Sequence, residues 1–505
     1  MENQNAETTL GNTDEILSYI VEELSEINFA LQKNERKDEI IHWLKENDIS
    51  FEDSQCYSDS QEQNGEGTQQ INSLQQIRQM LNEVDLSSRD YKVIATLGII
   101  EKAKQLGYPL SAYHGTIRIY NGVYWDKYDE DDFKRFLEKC YLTVGVPKVM
   151  SKDSDFLRRG LNQFQESAHQ SRSETENILL NFQNGTLEFN YDNEFHFREH
   201  REDDFLTYVL PYSYDPEATC QRFQRYLDKV VPEEDKQLVL AEFIGSVFSD
   251  LKHEKVLILY GGGNNGKSVF MNVSTAVLGK ENVCSHSLEQ LTDSKLYFVG
   301  DLEENLLNYA GEISTKVNPD MFKKLASLEP VTARFPYYKP FEIENYARLA
   351  FNCNKLPEAQ ETTEGFFRRF LIVPFDVYIT KGERDPRLAE KIISEELSGV
   401  MNWVLQGLVR LQENEDFTPC ESANRMINEY IRVADTVGEF LEAKADSYTD
   451  AELASQLYTD YKDYCDNYGL NALGPKQFSQ ELKSRGVQNR RGAEGMYYFI
   501  QNIDE

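Results

Sequence analysis

VLILYGGGNNGKS occupies residues 256–268 of the 505-residue chain. Val256–Tyr260 is an unbroken apolar run of strand length, the pattern of a strand buried on both faces. It stops at three glycines, and a helical pattern opens at Lys267. Gly261–Ser268 match G-x-x-x-x-G-K-[ST] at every fixed position. The chemistry needs these residue types. Gly261, Gly262, Gly263 and Gly266 let backbone N–H groups curl around a phosphate, with Asn264 and Asn265 in the variable positions. Lys267 reaches the β/γ oxygens, Ser268 offers a hydroxyl to Mg²⁺, and the helix through Val269 adds its positive N-terminal end. A merely flexible glycine turn would not explain a buried strand before it and a helix after it. Gly261–Val269 is therefore expected to bind a nucleoside triphosphate with Mg²⁺.

Such a loop serves kinases, motors and switches alike, and the segments downstream narrow the choice. NLLNYAGEIS (305–314) is apolar and leads to Glu312, the preferred acid for polarising an attacking water. The competing segment is YFVGDLEE (297–304), with Asp301, Glu303 and Glu304. YARLAFNCNKLP (346–357) is another strand-like run, ending in Asn354, whose amide can hold a water or a γ-phosphate. An Asn before a turn is also ordinary turn chemistry. EGFFRRFLIVPF (364–375) sets Arg368 and Arg369 ahead of a further strand. An arginine there can reach a neighbouring subunit's γ-phosphate, or simply form a surface ion pair.

Strand-like and helical runs alternate from residue 256 to about 375, which predicts an α/β fold with a parallel sheet. Apolar positions at helical spacing precede it from residue 219, so 219–385 is taken as the core with its preceding helices. Residues 1–51 read as an acidic helical region, 52–73 as a disordered polar linker, and 74–218 as a mixed α/β domain. Hairpins are expected at Asn121-Gly122 in TIRIYNGVYW and at Asn184-Gly185 in LLNFQNGTLEF. Residues 386–436 form a helical connector. In 437–505, LGPKQFSQELKSRG (473–486) predicts a cationic helix with Lys476 and Lys483. NRRGAEGMYYFI (489–500) predicts a strand pair with Arg490 and Arg491 at its tip. Helix then basic wing is the winged-helix pattern, which serves either DNA contact or protein docking.

Seven cysteines without a CxxC pair fit a reducing cytoplasm and neither a disulfide framework nor a zinc ribbon. A polar start, MENQNAETTL, and no apolar run near 18 residues predict neither secretion nor a membrane span. The net charge of −33 disfavours coating of duplex DNA by a basic surface but leaves room for a narrow channel lined by a few cations. Residues 1–90 hold 20 acids against 6 bases, a local charge of 6 − 20 = −14, so part of the excess sits at one end.

The ordered series GGGNNGKS, AGEIS, SLEPVTARFPYYKPF (327–341), FNCNKLP and GFFRRFLIVPF resembles the motifs of superfamily 3 helicases, in the phage/plasmid primase-helicase branch that includes the poxvirus helicase-primase ATPase. The resemblance implies an AAA+-like P-loop ATPase core that hydrolyses ATP with Mg²⁺, and a homo-oligomeric ring, hexameric, moving 3′ to 5′ on single-stranded DNA. It makes Lys267 and Ser268 the ATP and Mg²⁺ contacts, Glu312 the Walker B acid and second Mg²⁺ support, and Asn354 the sensor. It favours Arg369 over Arg368 as the arginine finger. Gly311 departs from the pattern, standing where many relatives carry a second acid. Arg334, Tyr337, Tyr338 and Lys339 interleave cations with aromatics, as a single-strand channel needs. The family places that hairpin in the central pore.

The expected partners are therefore single-stranded DNA and a replication fork or origin. A primase or polymerase recruited through the acidic N-terminal region is a further expectation, and a phage or plasmid protein of this kind works in the bacterial cytoplasm. A bifunctional primase-helicase and a switch ATPase that does not touch DNA are the alternatives. Residues 75–170 offer no closely spaced pair of metal-binding acids on strands, and WDKYDEDDF (125–133) reads as a turn into a helix.

Overall fold

Strands from Leu110 to Tyr128 alternate apolar and polar residues, and in the computed structural model they form an antiparallel meander: β1 (Leu110–Tyr113), β2 (Thr116–Tyr120) and β3 (Trp125–Tyr128). The structure describes residues 12–29, 32, 86–113, 115–169, 177–190, 194–311, 313, 317–334, 340–356, 363–445 and 451–499. The expected linker at 52–73 lies outside them. The chain divides into two units, one of residues 1–175 with 199–209, the other of 176–198 with 210–505.

In the first unit the meander packs with helices Thr13–Glu23, Ser88–Gln105, Glu130–Thr143 and Ser154–Ser167. The turn between β2 and β3 spans four residues, with Tyr120 opposite Trp125. Asn121 Oδ1 accepts from the N–H groups of Val123 and Tyr124 at 3.0 Å each, and Gly122 takes φ +92°. Asp129 caps the next helix by accepting from the N–H groups of Asp131 and Asp132. Much of this acidic run is thus helix-start chemistry. The N-terminal helix is part of the same unit, because Ile16, Leu17 and Ile20 bury among Ile99, Phe133 and Leu137.

The second unit opens with the antiparallel sheet β4 (Ile178–Phe182), β5 (Gly185–Phe189) and β6 (Phe195–Arg198). The expected mixed domain 74–218 is therefore divided: its first hairpin lies in one unit and its second in the other. The physical cause is local. Phe182 bridges to Leu210, and Tyr212 donates its hydroxyl to the Val277 carbonyl at 2.9 Å, which ties this sheet to the core that follows.

That core is a parallel sheet of β7 (Val256–Tyr260), β8 (Val283–Cys284), β9 (Leu307–Ala310), β12 (Arg348–Cys353) and β13 (Phe370–Pro374), in the order β13-β7-β12-β9-β8. Between β9 and β12 in sequence lies the antiparallel pair β10 (Val331–Ala333) and β11 (Phe341–Ile343). β7, β12 and β13 are buried almost throughout, which is why they read as continuous apolar runs. Helix Lys267–Leu278 follows β7, and helix Glu234–Ser246 packs against Leu397–Asn414. That crossing is close because it is built on glycine: a Cβ on Gly407 would lie 2.4 Å from the Ala241 carbonyl carbon, and one on Gly245 would lie 2.8 Å from the Leu408 nitrogen.

The remainder comprises helices Glu421–Ala434, Thr436–Ala445, Ala454–Tyr468 and Pro475–Ser484, with the antiparallel sheet β14 (Glu452–Leu453), β15 (Gln488–Arg491) and β16 (Met496–Phe499) in the order β14-β16-β15. Phe440, Tyr461, Phe478 and Tyr498 form its core, with the Tyr461 and Phe478 rings stacked at 4.4 Å. No described helix is long and apolar enough to cross a membrane.

Candidate functional site

The glycine loop leaves the carboxyl end of β7, a strand inside the sheet, where open α/β sheets place their ligands. Its backbone uses conformations that few residues tolerate. Gly261, Asn264 and Gly266 take φ of +151°, +63° and +93°. A Cβ on Gly261 would meet the Phe375 carbonyl at 2.6 Å, and one on Gly266 would meet Val230 at 2.9 Å. Asn264 is the non-glycine residue type that best accepts the left-handed region. Gly262, Gly263 and Asn264 are exposed, as is Ser268 in the first helical turn.

The loop is held from three sides. Its start donates from Gly261 N–H to the Cys353 carbonyl at 3.0 Å. Asn264 accepts at its carbonyl from the Ile379 N–H at 2.7 Å. Asn265, included in the expected ATP contacts, instead turns its buried side chain inward and donates to the Phe375 carbonyl at 2.9 Å. Tyr226 donates its hydroxyl to the Gly266 carbonyl at 2.9 Å, a support that the sequence signalled only as an apolar helix position.

Lys267 is 6% exposed. Its Nζ donates to the carbonyls of Gly261 at 2.6 Å and Gly262 at 2.9 Å, and to Asn265 Oδ1 at 2.9 Å. Burial draws this ammonium below the usual lysine range. Among the described residues no carboxylate pairs with it. The site therefore holds a buried cation surrounded by neutral oxygens.

β12 lies beside β7 with Cys353 level with Tyr260, which sets exposed Asn354 beside the start of the loop. β9 lies on the other side of β12, with Ala310 level with Phe351, so Gly311 extends from the same edge. Glu312 follows it and lies outside the described residues. The competing YFVGDLEE segment is not a strand. Asp301 sits in a 3-10 turn, Gly300–Leu302, with His286 Nε2 at 3.0 Å from its carboxylate.

Arg368 and Arg369 precede β13, and the Arg369 carbonyl accepts from Val256 N–H at the opposite, amino end of β7. With about 3.3 Å per residue in a parallel strand, they lie about 20 Å along the sheet from their own loop. The two differ sharply. Arg369 is 8% exposed; its guanidinium donates to Ser327 Oγ at 3.1 and 2.9 Å and to the Gly365 carbonyl, and sits 3.3 Å from Glu254. The Arg368 side chain is 58% exposed, with Glu254 at 3.0 Å. Arg369, the arginine expected to act as the finger, is thus buried and bonded within its own chain, whereas Arg368 faces solvent.

Arg334 is exposed just past β10. Tyr337, Tyr338 and Lys339 lie outside the described residues, between the arms of the β10–β11 hairpin. Lys476 and Lys483 are exposed on helix Pro475–Ser484, and Arg490 and Arg491 are exposed on β15, opposite Tyr497 and Met496.

A mixed α/β chain with a parallel five-stranded sheet and a glycine loop on an internal strand defines the class. Residues 107–232 match the family described as D5 N terminal like, and residues 259–369 match a family of unknown function, DUF5906. "Putative helicase L207/L206" of Acanthamoeba polyphaga mimivirus is 23% identical over 217 residues, 39% of this chain and 22% of that protein. "Putative helicase 121R" of Invertebrate iridescent virus 3 is 22% identical over 273 residues, 47% of this chain and 28% of that protein. The chain thus spans less than a third of either viral relative. The apo C-terminal region of NrS-1 superposes with a TM-score of 0.49 at 11% identity, covering 81% of this chain and 99% of that one. The chain is thus similar, over these two segments, to the D5 N terminal like and DUF5906 families and to viral proteins named as putative helicases.

Proposed function

We propose that the chain is an ATP-dependent DNA helicase, with an AAA+-like P-loop core that binds and hydrolyses ATP and a C-terminal winged-helix domain. The observation that carries the reading is Lys267. Among the described residues this buried ammonium has no carboxylate partner, a costly arrangement that an anion entering the loop relieves. The exposed crest Gly262–Asn264 and the N-terminus of helix Lys267–Leu278 give a triphosphate its access and its backbone donors. Lys267 then exchanges its loop carbonyls for β/γ oxygens.

The other roles follow by position. Ser268 and Glu312 would hold Mg²⁺, and the metal would supply neutralisation of phosphate charge. Glu312 polarises the attacking water, and Asn354 orients it beside the γ-phosphate. Arg368 completes the site of the next subunit in a ring, because it lies at the far end of the sheet from its own loop and faces outward. Arg334, Tyr337, Tyr338 and Lys339 grip single-stranded DNA, and Lys476, Lys483, Arg490 and Arg491 contact DNA from the C-terminal domain. The test is strand displacement from a forked duplex. ATP should drive it and a non-hydrolysable analogue should not. Displacement that proceeds equally without ATP overturns the reading.

A further inference from the structure

Tyr378 is 64% exposed, and among the described residues no ring packs on it. Yet it is tightly placed. The segment after β13 is bonded to the glycine loop at two points, Asn265 to the Phe375 carbonyl and Ile379 N–H to the Asn264 carbonyl. Tyr378 lies between those two anchors, next to the second. The opposite flank of the loop is closed by Tyr226 and Val230, which crowd Gly266. The crest is open: a Cβ on Gly262 or Gly263 would meet nothing within 4 Å. A nucleotide whose phosphates lie in the loop must carry its base out past that crest. Of the exposed large apolar side chains among the described residues, Tyr378 is the one whose neighbour is hydrogen-bonded to the loop.

We propose that Tyr378 stacks on the nucleobase and supplies the part of the affinity that separates a nucleotide from bare polyphosphate. The proposal rests on the phosphate-loop reading and names a contact that the loop motif does not contain. An aromatic face prefers an offset-stacked planar partner, and the wide face of a purine offers the most contact area. Stacking of one base on one ring contributes about a tenfold change in affinity or more.

The experiment compares binding of ADP and of inorganic pyrophosphate, both with Mg²⁺, by calorimetry on the full chain; neither probe is hydrolysed at a γ-phosphate. Tyr378→Ala should weaken ADP about tenfold and leave pyrophosphate unchanged, while Tyr378→Phe should bind ADP within about twofold of the parent. Unchanged ADP binding by Tyr378→Ala overturns the stacking role and leaves the loop assignment standing. Equal weakening of both ligands also overturns it, since the substitution would then act by deforming the loop. Failure of the parent to bind either ligand overturns the loop reading and the proposal together.

Discussion

Lys267, Arg368 and Arg369 are three cations that one-dimensional spacing describes equally well and that the fold treats differently. Lys267→Ala removes the buried ammonium, and ATP turnover should fall to background while thermal stability holds or rises, because the lost group is a desolvated charge without a counter-ion among the described residues. Loss of folding would mean that Lys267 is a strut. Arg369→Ala deletes a guanidinium bonded to Ser327 and Gly365, and should cost about 2–3 kcal/mol in a denaturant titration. Arg368→Ala should leave that midpoint unchanged and lower turnover about 10³-fold. If Arg369→Ala is stable and inactive while Arg368→Ala is active, the assignment reverses. The motif made the pair legible, but which of two adjacent arginines turns inward depends on Ser327, 42 residues away, and on Glu254, which no local pattern reveals.

At the scale of elements, apolar patterning made the sheet legible. Val256–Tyr260 and Phe370–Pro374 are buried on both faces, and burial of that kind leaves a continuous run in the sequence. NLLNYAGEIS was harder, because its strand is only Leu307–Ala310 and buried Asn308 interrupts the apolar run. YFVGDLEE has the composition of a strand and becomes a turn, since only tertiary packing separates the two outcomes for so short a run. No local sequence pattern announces the glycine-built helix crossing. Gly407→Ala adds a better helix former, by about 1 kcal/mol, yet its Cβ would strike the Ala241 backbone. The net effect should be a loss of about 1–3 kcal/mol, read by chemical denaturation. A stabilised variant would show that the two helices separate freely. In the β10–β11 hairpin, Arg334→Ala with Lys339→Ala should weaken single-stranded DNA binding and make the slope of log K against log salt shallower by about 1.4. Basal ATP turnover should persist. An unchanged slope would remove the hairpin from the DNA path.

For the whole molecule, a net charge of −33 disfavours a broad basic DNA-binding surface, so the proposed DNA contacts rest on a few exposed cations, Arg334, Lys476, Lys483, Arg490 and Arg491. The ring account adds a second demand. A loop at one end of the sheet and Arg368 at the other cannot complete one site within one chain, so inactive Lys267→Ala and inactive Arg368→Ala proteins should regain hydrolysis when mixed. No recovery at any ratio, with mixing of subunits demonstrated, would count against a shared site. The most direct measurement is ATP hydrolysis by the purified chain with and without single-stranded DNA. The account predicts slow basal turnover, severalfold stimulation by the strand, and neither in Lys267→Ala; turnover that ignores DNA, or that survives loss of Lys267, would contradict it.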